Sequence, residues 1–348
     1  MNEERLDFFS KYLYIWVGLA MIFGAILGNL WPELANRLGS WEIANVSIPV
    51  AIVLLFMMYP IMLKIEFKEV ANVQTNSKPL FLTLIVNWAI KPFTMAFISW
   101  LFMRFIFASF ISETLASEYI AGMILLGLAP CTAMVLVWTY LAKGNINYAL
   151  VQVAINDLVI LFVFAPLGKL LIGVSTGFPV PFSTIFWSVV FYVALPLLLA
   201  IMTRRYIIRK KGKEFLEKRV IPYFDPFTKL GLLLTLVFVF MFQGKTIFDN
   251  PLHILLIAVP LILQTYLIFY IGYMGAKALK IEYFEAAPST FIGASNFFEL
   301  SIAVALILFG MDSGAALAMV VGVLVEVPVM LSLVAMMKKN KEKFRFAK

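Results

Sequence analysis

Ten apolar stretches, most of them close to twenty residues long, run through this chain, and few other folds can absorb so many. Crossing ~30 Å of hydrocarbon as a helix takes about 20 apolar residues. The stretches lie at 12–31, 46–63, 79–103, 118–142, 148–172, 181–203, 228–243, 252–276, 285–309 and 313–337. Of 348 residues 62% are hydrophobic and only 14% charged, well under the charge of a soluble domain. Ten spans with short connections use up that length and leave no separate soluble domain. The sequence therefore predicts an all-α integral membrane protein. Met1–Lys11 mixes both charge signs and shows no small-residue cleavage site, so the stretch after it is expected to stay as the first span.

Basic residues set the orientation, because positive loops stay on the cytoplasmic side. Taken alternately, and with Lys169 and Lys229 near span ends counted with the adjoining segment, the segments outside the spans carry 23 of the 28 Lys and Arg on one side and four on the other, with Lys91 deep inside a span. Both termini are expected in the cytoplasm, and Arg204–Arg219 forms a cytoplasmic basic connection between two five-span halves. The net charge of +8 is then a matter of topology and of contact with anionic lipid, and nucleic acid is not an expected partner. An odd number of spans per half turns the second half upside down, the arrangement of inverted-repeat carriers whose site lies at mid-membrane. The expected division is 1–178 for the first repeat, 179–225 for span 6 and the basic loop, and 226–348 for spans 7–10 and the basic tail.

Both halves carry helix-breaking residues in their fourth span: Gly127-Leu-Ala-Pro-Cys-Thr-Ala-Met134 and Ala287-Pro-Ser-Thr-Phe-Ile-Gly-Ala-Ser-Asn296. Proline inside a helix removes an amide donor and clashes with the preceding turn. Broken helices at matched positions in spans 4 and 9 point to a substrate site between them.

Five ionisable residues sit near the middle of spans: Lys91, Cys131, Asp157, Glu299 and Glu326. Charges at that depth line pathways or pair with one another. Cys131 is either a small buried hydrophobe or, beside a break, a soft ligand suited to a thiophilic metalloid. Glu299 shares a helix face with Ser295 and Asn296; it is either a proton carrier or a structural partner of Lys91. Asp157 and Glu326 occupy matched last spans, as proton or cation sites or as packing anchors. Lys91 is expected to neutralise one of these carboxylates. Thr132, Asn87, Gln152, Asn156 and Gln264 are further candidates for a polar lining, and His253 reads as an interface residue. One cysteine excludes an internal disulfide. No phosphate-cradling glycine loop or zinc-spaced ligand set occurs, so neither a cofactor nor nucleotide-driven pumping is expected. With Asp157 the only aspartate inside a span, an intramembrane aspartyl enzyme is disfavoured.

Leu128-Ala-Pro-Cys-Thr-Ala-Met-Val-Leu-Val-Trp138 resembles the arsenical-resistance permeases, arsenite efflux carriers of the bile/arsenite/riboflavin transporter superfamily. Asn87-Trp-Ala-Ile-Lys-Pro-Phe93, Val151-Gln-Val-Ala-Ile-Asn-Asp-Leu158, Gly293-Ala-Ser-Asn296 with Phe298-Glu-Leu300, and Glu326-Val-Pro-Val-Met330 extend the likeness over nearly the whole chain. The resemblance implies ten spans in two inverted five-helix repeats, panel and core domains, and export of trivalent arsenic. Antimonite transport varies within that family. The family's essential cysteine falls on Cys131 and its essential glutamate on Glu299. Phe297 departs from the pattern, which usually has a second asparagine there. The expectation is an antiporter of the bacterial inner membrane that exchanges arsenite for protons. In it Cys131, Thr132, Ser295, Asn296 and Glu299 bind substrate, while Glu299, Asp157 and Glu326 serve proton coupling. The alternative is a sodium-coupled organic-anion carrier of the bile-acid type.

Overall fold

The structure, a computed structural model, describes residues 12–43, 46–65 and 77–344. The expected cytoplasmic tail Met1–Lys11, the connecting segment 66–76 and the last four residues, 345–348, lie outside the described residues. Helices account for nearly everything else: α1 (Leu13–Leu30), α2 (Pro32–Gly39), α3 (Ile48–Leu63), α4 (Ser77–Ile106), α5 (Glu113–Gly127), α6 (Met134–Leu141) and α7 (Ile146–Thr176). There follow α8 (Phe182–Lys211), α9 (Lys213–Phe242), α10 (Gly244–Asp249), α11 (Pro251–Ala278), α12 (Tyr283–Ala294), α13 (Phe298–Phe309) and α14 (Gly314–Lys339). The only strands among the described residues are a two-residue ribbon, Glu42–Ile43 against Val46–Ser47. Eight helical stretches are long and apolar enough to cross a membrane; α3 is apolar but shorter, and α5 and α6 are two pieces of an interrupted helix.

Local chemistry explains the boundaries. Ser112, Asn145 and Ser313 cap α5, α7 and α14 by accepting the amides of Leu115, Tyr148 and Ala316. Wide π turns at Val86–Ile90, Val190–Ala194 and Leu216–Val220 each end just ahead of a proline, Pro92, Pro196 or Pro222. A proline has no N–H to offer, so widening the preceding turn lets the helix continue past it.

The basic stretch Arg204–Arg219 is not an irregular loop. α8 and α9 run through it as helices and reverse only at Gly212, whose φ of 83° suits glycine. Arg, Lys and Glu are good helix formers, and the ion pairs Lys213–Glu217 (3.3 Å) and Glu214–Lys218 (2.6 Å) follow the helical i, i+4 spacing.

The helices pack in two groups. α1, α3, α8 and α9 contact one another, and α4 to α7 pack with α11 to α14. α1 and α9 approach closely because a Cβ on Gly24 would stand 2.6 Å from the Val237 carbonyl, leaving no room for a side chain. Burial is uneven: the most apolar window of Tyr283–Phe309 is 89% buried and that of α1 only 39%, which makes α12 and α13 the centre of the molecule.

Candidate functional site

The two interrupted helices meet at their interruptions. Residues 128–133 separate α5 from α6 around Pro130, as the sequence predicts. The second interruption falls at Ser295–Phe297, seven residues beyond Pro288, which stays inside α12. Partners elsewhere in the fold account for that position. The Phe297 amide donates to the Ala129 carbonyl at 3.0 Å, so each break answers the other. Ser301, on α13, donates at 2.8 Å to the Leu125 carbonyl in the last turn of α5, which also accepts the Leu128 amide at 3.3 Å.

Lys91 lies under this crossing, just after the π turn of α4, and is 1% exposed. Its Nζ donates to the Ser295 carbonyl at 2.6 Å and to the Ala129 carbonyl at 3.5 Å. The expected neutralisation of a carboxylate takes a different form: no carboxylate among the described residues is within ion-pair distance, and attraction to Glu326 acts over a longer range. Gln264 holds the same turn by donating to the Lys91 carbonyl and to Thr94 Oγ1.

The opposite polarity gathers on the other side of the crossing. The amides of Met134 and Val135, which open α6, point at the Cys131 sulfur. Glu326, from α14, accepts the Asn296 amide at 3.3 Å, just ahead of α13. Helix N-termini carry partial positive charge and C-termini partial negative charge. The thiol and a carboxyl thus meet the N-terminal ends of the two half-helices, and the ammonium meets the C-terminal ends.

A small cavity lies between the two helix groups at this level. Cys131, Met134, Trp138, Asn296 and Glu326 line it, and Val17 and Leu232 close it from α1 and α9. It measures about 20 Å³, room for roughly one water.

Glu299 does not line that cavity. It sits in the first turn of α13, 1% exposed, close enough to Cys131 for direct electrostatic interaction. Among the described residues no side chain or other residue's backbone hydrogen-bonds its carboxyl oxygens, and those of Asp157, fully buried on α7, have no partner either. Thr132 Oγ1 and Asn296 Oδ1 are also buried without partners, whereas Ser295 Oγ donates to the Phe291 carbonyl. Buried polar atoms without partners are uncommon, and several at one place mark a site for something more than packing.

The remaining candidates form a separate network against α12. Gln152 links Thr83 and Ser289, and Asn156 Oδ1 accepts from both Asn87 and Trp88. His253 bonds the Tyr119 hydroxyl through Nδ1 at 2.6 Å, far from a ligand role. Among the described residues no group of three or more His, Cys, Asp or Glu side chains converges on a metal-sized point. Ser301 and Lys91's carbonyl partners were not legible in the sequence, since each depends on contacts between distant segments.

Broken helices crossing at a polar point inside an apolar bundle are an arrangement of membrane carriers. The comparisons agree. The sequence model of the Sodium Bile acid symporter family matches residues 51–250. The chain is 48% identical over 341 residues to the arsenical-resistance protein Acr3 of Alkaliphilus metalliredigens, an alignment covering 98% of this chain and 95% of that protein. It is 51% identical over 344 residues to an uncharacterized transporter of Synechocystis, covering 96% and 90% of the two chains. The Acr3 protein of Corynebacterium glutamicum is 34% identical over 341 residues, again covering 96% and 90%. The chain belongs to the Sodium Bile acid symporter family and, within it, to the Acr3 arsenical-resistance proteins. It is a multi-pass membrane protein of a transporter family.

Proposed function

We propose that this chain is a secondary carrier of the cell membrane that exports arsenite in exchange for protons. The observation that carries the reading is the Cys131 thiol, held at the first helix break in one cavity with Asn296 and Glu326. Two close relatives bearing the name arsenical-resistance protein support arsenite as the cargo. A soft sulfur suits trivalent arsenic, and a single thiol grips weakly enough to release it. The partnerless Thr132 Oγ1 and Asn296 Oδ1 are suited to the arsenite hydroxyls, and the Ser295 hydroxyl oxygen remains an acceptor beside them. Glu299, with Asp157 and Glu326 near it, carries the exchanged proton.

On this reading the ten spans are α1, α3, α4, the α5–α6 pair, α7, α8, α9, α11, the α12–α13 pair and α14. They form two inverted halves with both termini in the cytoplasm, in keeping with the basic-residue bias and with the broken pairs at matched places. The group α1, α3, α8 and α9 acts as the panel and the other as the core, and rocking of one on the other exposes the site alternately. The sodium-coupled organic-anion reading has less support, because the relatives that carry a functional name are named for arsenical resistance.

Efflux of radioactive arsenite from cells expressing the chain tests the proposal. Cells with the unaltered chain lose arsenite faster than cells with Cys131→Ala; equal rates for the two overturn the reading.

A further inference from the structure

The family to which this chain belongs is described as sodium symporters, and carriers of this architecture coordinate their coupling cation with unwound backbone carbonyls and the C-terminal ends of half-helices. Those groups are present here at the crossing, and they are already occupied. The carbonyl of Ala129, just past the end of α5, and that of Ser295, at the end of α12, both accept from the same Lys91 ammonium. We infer that Lys91 is a tethered monovalent cation: its ammonium fills the seat between the two half-helix C-termini where a sodium-driven carrier binds a free ion.

Three features argue that the ammonium is there for the carbonyls. First, a lysine whose task was to neutralise a carboxylate would stand in ion-pair contact with one. Glu326 instead spends an oxygen on the Asn296 amide, and no carboxylate among the described residues reaches Nζ. Second, the seat is built around the lysine. The π turn Val86–Ile90 immediately precedes it, Pro92 follows it, and Gln264 from α11 clamps its carbonyl. Third, an ammonium is a compact charge with three donors and no acceptor, so it can serve convergent carbonyl oxygens as a small metal cation does. An ion that is part of the chain cannot move down a gradient. The carrier is therefore independent of sodium, and its driving ion must act elsewhere, at the carboxyls.

The test uses the purified full-length chain in detergent and does not involve arsenite, so its outcome is separate from that of the efflux experiment. Thermal unfolding is followed in sodium chloride and in choline chloride at equal ionic strength, for the unaltered chain and for Lys91→Ala and Lys91→Ser, and radioactive sodium binding is measured alongside. The unaltered chain is expected to melt at the same temperature in both salts and to bind no sodium. The variants are expected to melt lower in choline, to regain several degrees in sodium and to bind the radioactive ion. Variants that melt alike in both salts and bind no sodium overturn the inference. If neither variant can be purified folded in either salt, the unaltered chain decides: a sodium-dependent rise in melting temperature or sodium binding overturns the inference, and indifference to sodium upholds it.

Discussion

Phe297 and Ala129 join the two interrupted helices directly, the amide of one donating to the carbonyl of the other at 3.0 Å. The bond makes each break part of the other's hydrogen-bond accounting. It also fixes where Cys131, two residues past Ala129, stands relative to Asn296, one residue before Phe297. A thiol and an amide from opposite ends of the sequence thereby come to line one cavity.

The Phe297 side chain has a different task from its amide. It is 1% exposed and absent from the lining of the Cys131 cavity, so the departure from the usual asparagine concerns packing. Phe297→Asn removes a buried ring and leaves a void, at a cost of about 3 kcal/mol or more. The melting temperature should fall clearly, while the preference between arsenite and antimonite, measured on the folded fraction, stays as it was.

Cys131→Ser separates chemistry from shape. Sulfur and oxygen differ little in volume, and the amides of Met134 and Val135 remain available to the hydroxyl. Stability is expected to fall by about 1–3 kcal/mol, the cost of burying a hydroxyl in place of a thiol. Arsenite efflux should fall to the level of cells without the protein, because a hydroxyl lacks the soft sulfur's affinity for the metalloid. Melting curves and efflux measured on the same preparation check both halves of the expectation.

Eight long apolar helices were legible in the sequence because hydrocarbon demands long apolar runs, and the first break was legible because Pro130 and Cys131 mark it. The second break was legible only as a run, Ala287–Asn296: α12 continues past Pro288 to Ala294, and the interruption falls at the end of that run. Its position depends on Ala129, Lys91 and Glu326, which no local pattern around Ser295 reveals. Which carboxyl borders the cavity depends on the same contacts. Glu299 and Glu326 both read as mid-span carboxyls, and only the docking of α14 against the crossing turns Glu326 toward Cys131. The basic connection between the halves read as a loop because charge leaves the membrane there, but leaving the membrane does not require leaving the helix.

Gly24-Ala-Ile-Leu-Gly28 on α1 has the small-xxx-small spacing that lets membrane helices approach backbone to backbone. Here the pair faces Val237 and Met241 of α9, and Gly244 beyond them closes against the Ala25 carbonyl. Gly28→Val would drive a branched side chain into the Met241 backbone. Overpacking of this kind costs about 1–3 kcal/mol, so the variant should melt lower. Gly18→Val, on the same helix but with open space at its Cβ, should leave the melting temperature unchanged.

Glu299 and Glu326 differ in their surroundings, although their sequence positions made them look alike. Glu326 spends one oxygen on the Asn296 amide and borders the cavity, so it has a structural partner that a glutamine carbonyl can still serve. Glu299 has no partner in another described residue on either oxygen, does not line the cavity and is within electrostatic reach of Cys131. A carboxyl with nothing to hold is free to take and give a proton, which a glutamine cannot do. In everted vesicles energised by a pH gradient, Glu299→Gln should abolish proton-driven arsenite accumulation while leaving the melting temperature within a few degrees. Glu326→Gln should retain measurable accumulation, with transport weakened about tenfold or less, since the Asn296 contact survives and a change of about 1.4 kcal/mol is one factor of ten. Normal proton-driven accumulation by Glu299→Gln would remove Glu299 from the coupling path and leave Asp157, a buried carboxyl also without a partner among the described residues, as the residue to replace next.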